Sequence, residues 1–154
     1  MYSNELVCNI LDYLDENINT IISIDMISSI FCYDKTYVMK RFKKELGISI
    51  VSYMNAIKIF NSLKYFKYDD SILKISIESG FNSLEYYSEI FKKVIGVSPM
   101  TYKQFTRYDV RVETDEVSTI INSLVKIDEL RNRIMFYRRR VKPSTVMAKK
   151  LSLQ

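Results

Sequence analysis

The chain has 154 residues, nearly half of them apolar, a quarter charged, and a net charge of +5, the profile of a soluble globular protein. It contains no histidine, and its three glycines stand apart at 47, 80 and 96. His-dependent metal sites, Ser-His or Cys-His nucleophile pairs and Gly-rich phosphate loops are thereby excluded, so an enzyme and a bound cofactor are not expected.

The positive charge is unevenly placed. Residues 1 to 34 carry six acids and no Lys or Arg, whereas 35 to 108 carry thirteen basic and six acidic residues. Such a basic zone is either a solvated face or a surface that meets a polyanion. Cys8 and Cys32 are too few for a disulfide framework and read as small buried apolar residues. The first residues lack a signal peptide's basic start and apolar middle, and no apolar run is long enough to span a bilayer. The expected location is cytoplasmic, on the nucleoid, with no membrane partner.

In chain order, Leu6, Ile10, Leu14 and Ile18 mark one helical stripe over about 4–18. Ser23 or Asp25 is placed to cap a short helix holding Met26, Ile27 and Ile30, and Cys32-Tyr33-Asp34 reads as a turn. Asp34 caps a helix over Lys35 to Leu46, which Gly47 ends as a left-handed C-cap. Ser49 caps the next helix, from Ile50 to about Phe66, with Tyr53, Ile57, Phe60 and Leu63 or Lys64 along its sides. Tyr68-Asp69-Asp70-Ser71 breaks it.

The plan then repeats. A short helix covers Ile72 to Ser79, Gly80 and Asn82 make a turn, and a helix runs from about Ser83 to Ile95. Gly96 ends that helix, and Ser98-Pro99 opens one through Phe105. After a short Val110/Val112 alternation, Thr114 or Asp115 is placed to start a helix reaching about Arg140. Its apolar stripe is Val117, Ile120, Ile121, Leu124, Ile127, Leu130, Ile134 and Tyr137. The stripe is expected to dock on the chain's own helices, to pair with a second copy through 115–140, or to receive another partner. Arg138-Arg139-Arg140 and Lys142 either touch DNA or solubilise the end, and 143–154 read as a tail.

Phe42-Lys43-Lys44 and Gly47 recur 49 residues later as Phe91-Lys92-Lys93 and Gly96. Each copy is a short helix, a tight turn and a second helix, the helix-turn-helix plan in which the second helix enters the major groove. Val38, Phe42 and Leu46 in the first copy, and Tyr87, Phe91 and Ile95 in the second, are expected to face inward. Thr36, Met39, Lys40 and Lys43 are expected outside in the first, and Glu85, Ser88, Glu89 and Lys92 in the second.

The stretch ILKISIESGFNSLEYYSEIFKKVIGVSPMTYK, residues 72–103, closely resembles the signature of the AraC/XylS family of bacterial transcription regulators. Residues 24–66 resemble that family's first helix-turn-helix and linker helix. The resemblance implies an all-α, homeodomain-like fold with two helix-turn-helix units joined by a long linker helix. It places the first unit at 1–48, the linker at 49–67 and the second unit at 68–108, followed by an amphipathic C-terminal extension over 109–154. It also implies base-contacting positions at Lys35, Thr36, Met39 and Lys40 in the first unit, and at Leu84, Glu85, Tyr86 and Glu89 in the second. Lys43, Lys44, Ser49, Lys92, Lys93 and Ser98 are the expected phosphate contacts, with double-stranded DNA as partner.

The sequence departs from the family at two points. Glu85 and Glu89 stand where hydrogen-bond donors are usual, either to accept from cytosine or as weak or regulatory positions. Cys32 stands where glycine is frequent, and a less sharp first turn is expected there. Many members carry a separate sensing domain, whereas this chain opens directly on its first helix and resembles the small stand-alone activators. The leading expectation is an activator that recruits RNA polymerase. The alternative is a helical adaptor that keeps a weakened helix-turn-helix as scaffold and associates through its C-terminal helix.

Overall fold

The structure, a computed structural model, describes residues 3–107 and 114–143, with side chains described over 5–107 and 115–143. Among the described residues every regular element is helical. In order these are α1 (Ser3–Asn17), α2 (Ile24–Phe31), α3 (Lys35–Leu46), α4 (Ile50–Ser62), a 3-10 turn (Leu63–Lys67), α5 (Ile72–Glu78), α6 (Leu84–Ile95), α7 (Pro99–Thr106) and α8 (Thr114–Val141). The Val110/Val112 alternation and most of the tail lie outside the described residues.

Two compact units divide the chain. Unit 1 draws on Met1–Asn17, Ile22–Ile50 and Glu129–Gln154, and unit 2 on Ile18–Ile21 and Val51–Asp128. Each holds one helix-turn-helix: α2 and α3 in unit 1, α5 and α6 in unit 2.

Local chemistry accounts for most helix boundaries. Ser23, Ser71, Ser83 and Ser98 each accept the backbone N–H three residues on, and Asp34 accepts those of Thr36 and Tyr37. These caps satisfy amides that a helix start leaves without partners, each contributing about 1 kcal/mol. The linker departs from expectation in one respect. Its α-helical hydrogen bonding stops at Ser62, and the remainder to Lys67 tightens into a 3-10 turn. The Ser62 hydroxyl hydrogen-bonds both the Ile59 carbonyl (2.6 Å) and the Tyr87 hydroxyl (2.9 Å), at the point where the winding changes.

In unit 1 the α1 stripe is buried at Leu6, Val7, Ile10, Leu11 and Leu14, with Ile27, Val38, Phe42 and Leu46 completing the helix-turn-helix core. In unit 2 an aromatic cluster of Phe66, Phe81, Tyr87, Phe91 and Tyr102 packs by edge and tilted contacts at 5.0 to 5.7 Å between ring centres. Such pairs contribute about 0.5–1.5 kcal/mol each beyond simple burial.

The first turn is as tight as the second. Cys32 adopts φ 57 and ψ 39 and is the one non-glycine residue with positive φ among those described. The Tyr33 N–H returns to the Ser28 carbonyl (3.3 Å) just as the Phe81 N–H returns to that of Ser76 (3.1 Å). Both turns therefore close with the same bond across a left-handed residue, Cys32 in one and Gly80 in the other. The expectation of a looser turn, and of a buried Cys32, is corrected, since its thiol is exposed while Cys8 is buried. The bond to Ser28 holds the backbone in a conformation that opposes an L side chain by about 1–2 kcal/mol. Cys32→Gly is accordingly expected to stabilise the protein by about 1 kcal/mol, measured as a higher urea midpoint at unchanged slope.

Candidate nucleic-acid interface

Helices α3 and α6, the second of each helix-turn-helix, have twelve residues each, too short to be stable alone, so burial of one face sets their rotation. Val38, Phe42 and Leu46 are at most 4 % exposed, and Tyr87, Phe91 and Ile95 are fully buried, as the spacing predicts. This rotation carries the opposite faces outward.

On α3 the outward side holds Lys35, Thr36, Met39, Lys40, Lys43 and Lys44, all exposed. Lys35 is engaged by Asp25 of α2 at 3.2 Å, which neutralises part of its charge. Among the described residues no carboxylate pairs with Lys40, Lys43 or Lys44, so these ammonium groups are presented to solvent. Lys43 and Lys44 lie in the last turn, where the helix dipole favours cations. Ser49 stands half-buried immediately before α4. A further feature, not among the residues the sequence points to, is a stack of exposed Tyr33 on Tyr37 at 5.4 Å and 20°. The i, i+4 spacing of two tyrosines flanking Asp34 is its only signal in the sequence.

The outward face of α6 is different. Glu85 and Glu89 are exposed, and no cation among the described residues pairs with either. Leu84 and Ser88 are half-buried, so Ser88 is not on the open face where the sequence places it. The Tyr86 hydroxyl accepts from the Asn55 side-chain amide of α4 (3.1 Å), and its ring leans on Phe81 at 5.9 Å. Tyr86 is thus tied to its own unit, whereas Tyr37, its counterpart 49 residues earlier, rests only on another exposed ring. Lys92 and Lys93 are exposed, and no carboxylate among the described residues pairs with either. Ser98 is half-buried, accepting the Thr101 N–H (3.1 Å) and donating to the Thr101 hydroxyl (2.9 Å), which uses its proton internally.

A pair of short helices joined by a tight turn, present twice and carrying lysines opposite a buried apolar face, defines the double helix-turn-helix class of DNA-binding domain. A family model described as "Helix-turn-helix domain" matches residues 27–104, half of the chain. The chain belongs to the AraC-type helix-turn-helix family of DNA-binding transcription regulators. Among relatives it is similar to the "Bifunctional transcriptional activator/DNA repair enzyme AdaA" of Bacillus subtilis, 29 % identical over 71 % of this chain and 52 % of that one. It is also similar to the "Transcriptional regulatory protein HptR" of Staphylococcus aureus, 28 % identical over 66 % of this chain and 40 % of that one. The chain thus spans about half the length of these relatives or less. Among solved structures, the C-terminal domain of AraT, a response regulator from Geobacillus stearothermophilus, aligns with a TM-score of 0.61 at 22 % identity, over 71 % of this chain and 93 % of that one. The DNA-binding domain of the global transcriptional factor AdpA, solved with a target DNA, aligns with a TM-score of 0.59 at 14 % identity, over 68 % of this chain and 97 % of that one. Among the described residues no helix is long and apolar enough to cross a membrane.

One charged residue inside unit 2 sets the turn ahead of α6. Lys58 of α4 is 5 % exposed. Its Nζ donates to the carbonyls of Gly80 (2.8 Å) and Thr20 (2.5 Å) and lies 5.7 Å from the centre of the Phe81 ring. A Cβ at Gly80 would stand 2.8 Å from that Nζ and from backbone atoms of Asn19 and Thr20, so glycine is required by close approach as well as by φ +83. Burial lowers the Lys58 pKa to about 8 from its ordinary 10.5. Between those values the unfolded chain binds the extra proton, so this group makes stability rise with pH across the window, by up to about 3 kcal/mol. Burial raises the Tyr87 and Tyr102 hydroxyls above their ordinary 10.0. Their contribution is present below pH 10 and is lost above it, as the unfolded chain ionises first. Lys58→Met removes the rise and leaves two carbonyls without their donor. It is expected to destabilise by about 1–3 kcal/mol at neutral pH, and the wild-type advantage in urea unfolding is expected to widen between pH 8 and 10.

Proposed function

We propose that the chain is a sequence-specific, double-stranded-DNA-binding transcription activator that places α3 and α6 in successive major grooves and recruits RNA polymerase. The observation that carries this reading is the outward face of α3. Lys40, Lys43 and Lys44 stand unneutralised opposite Val38, Phe42 and Leu46, which pack that helix rigidly into its unit. Unpaired lysines on a fixed helix supply counterion release at phosphates, and Met39, Thr36 and Lys40 supply apolar and donor contacts to base edges. The relatives' names, an activator and a regulatory protein, support the same role, as does a similar domain solved on its target DNA. With no histidine and no glycine-rich loop in the chain, we read it as a binding protein rather than an enzyme.

In this reading the two helices do unequal work. The first unit supplies most of the attraction to phosphate. In the second, Lys92 and Lys93 attract the backbone while Glu85 and Glu89 repel it unless a cytosine amino group meets them. The acids therefore act as selectors, and a carboxylate without its base opposes binding. An adaptor or a homodimer held through 115–140 is less well supported, because Ile120, Ile127, Ile134 and Tyr137 of that stripe are buried within the chain's own units.

Selection from a random-sequence duplex pool followed by gel shift tests this directly. Two half-sites about one helical turn (~34 Å) apart are expected, with affinity falling steeply as salt rises. Lys40→Ala is expected to cost about 1–3 kcal/mol on the selected duplex and to relax preference at one position. Lys43→Ala is expected instead to weaken all duplexes alike and reduce the salt slope by about 1. Absence of any salt-dependent duplex binding would refute the reading.

A further inference from the structure

Helix α8 lies wholly beyond residues 27–104, the part matched by the family, yet each of its halves reaches the end of a reading helix. In unit 2, Ile120 and Ile127 sit in the same core cluster as Phe91 and Ile95 of α6. Thr119 presses on the C-cap itself, since a Cβ at Gly96 would fall 2.2 Å from Thr119 Cγ2. In unit 1, Tyr137 is buried and its hydroxyl donates to the carboxylate of Glu45, in the last turn of α3. Arg41, one turn earlier on α3, pairs with the same carboxylate at 2.5 Å. A carboxylate so near a helix C-terminus is opposed by the dipole, and the two donors are what hold it there.

The same half of α8 is docked on α1 by charge. Arg138 reaches Asp15 at 2.6 Å and Asp12 at 3.9 Å, and Lys142, just past the helix end, donates to the Asn9 side-chain oxygen at 2.5 Å. Two of the acids that gather in the first 34 residues, Asp12 and Asp15, thus have their cation at the other end of the chain.

We propose that α8 is a positioning element for DNA reading: each half seats the last turn of one reading helix, through Thr119 on Gly96 and through Tyr137 on Glu45. The proposal rests on the DNA-binding reading above. Its physical point is that Lys43 and Lys44, and Lys92 and Lys93, occupy those same last turns. Displacing the end of either helix displaces its phosphate-contacting groups, whose geometry must hold within about 0.5 Å to remain productive.

Two measurements on the full chain test it. The first uses the glycine that ends each reading helix, because Gly47 (φ +71) has open space where Gly96 (φ +93) meets Thr119. Gly96→Ala is expected to lower the unfolding midpoint more than Gly47→Ala, and Thr119→Ala to recover part of that difference. Equal losses with no recovery would overturn the seat on α6. The second uses Tyr137→Phe, which keeps the buried ring and removes the hydroxyl. At a temperature where circular dichroism shows the variant folded, its affinity for the wild-type-selected duplex is expected to fall on the order of tenfold. Nuclease protection is expected to weaken first over one half-site. Wild-type affinity and an unchanged footprint would overturn the positioning role, even if the variant melts earlier. If the wild type selects no duplex, the DNA-binding reading fails and the positioning role with it, while the glycine comparison still reports whether α8 seats on α6.

Discussion

Everything in this protein hangs on burying one face of two twelve-residue helices. Alone, such a helix is marginal in water, because nucleation costs more than a few turns recover. Val38, Phe42 and Leu46 in one unit, and Tyr87, Phe91 and Ile95 in the other, supply the missing stability by entering a core. Once those residues are inside, the rotation of each helix is set, and so is the identity of every group it shows to solvent. The short helices α2 and α5, the turns that precede the reading helices, and the C-caps at Gly47 and Gly96 hold that rotation in place.

The units share this skeleton and differ in what they do with it. Both turns close with the same backbone bond across a left-handed residue. One uses glycine because Lys58 and the 19–20 backbone crowd the site, and the other tolerates a cysteine whose side chain meets solvent. The outward faces diverge further. The face of α3 is lysine-rich, with Lys40, Lys43 and Lys44 unneutralised among the described residues, beside a stacked tyrosine pair. The face of α6 carries two acids with no cation partner among the described residues, and its tyrosine is tied down through Asn55. In the proposed reading, these unequal faces let one unit contribute attraction and the other discrimination.

Much of this architecture was legible in the chain. The caps read at Ser23, Asp34 and Ser98, and the helix stops read at Gly47 and Gly96, are present. So are the inward triplets of both reading helices. Several points were not legible. The α-helical part of the linker stops at Ser62, whose hydroxyl is shared between Ile59 and Tyr87, and Tyr87 is 25 residues away. Lys58 looks like any surface lysine on an amphipathic helix until Gly80 and Thr20 turn their carbonyls towards it. The stripe on α8 announced that it needed a cover without saying which. Of its members Ile120, Ile127, Ile134 and Tyr137 went inside, and Ile121 remained exposed.

What the sequence determined by itself, then, was much of what neighbours within about a turn govern: most helix extents and caps, the duplicated motif and the inward triplets of α3 and α6. These follow from periodicity and from side chains that bond backbone groups two to four residues away. Tertiary structure alone decided which charges would be neutralised and which left to act. Arg138 is paired with Asp15 across 123 residues, and Tyr137 with Glu45 across 92, while Lys40, Lys43 and Lys44 have no such partner among the described residues. Charge is visible in a sequence, but its cancellation falls off with distance in space, and that distance exists only once the chain has folded.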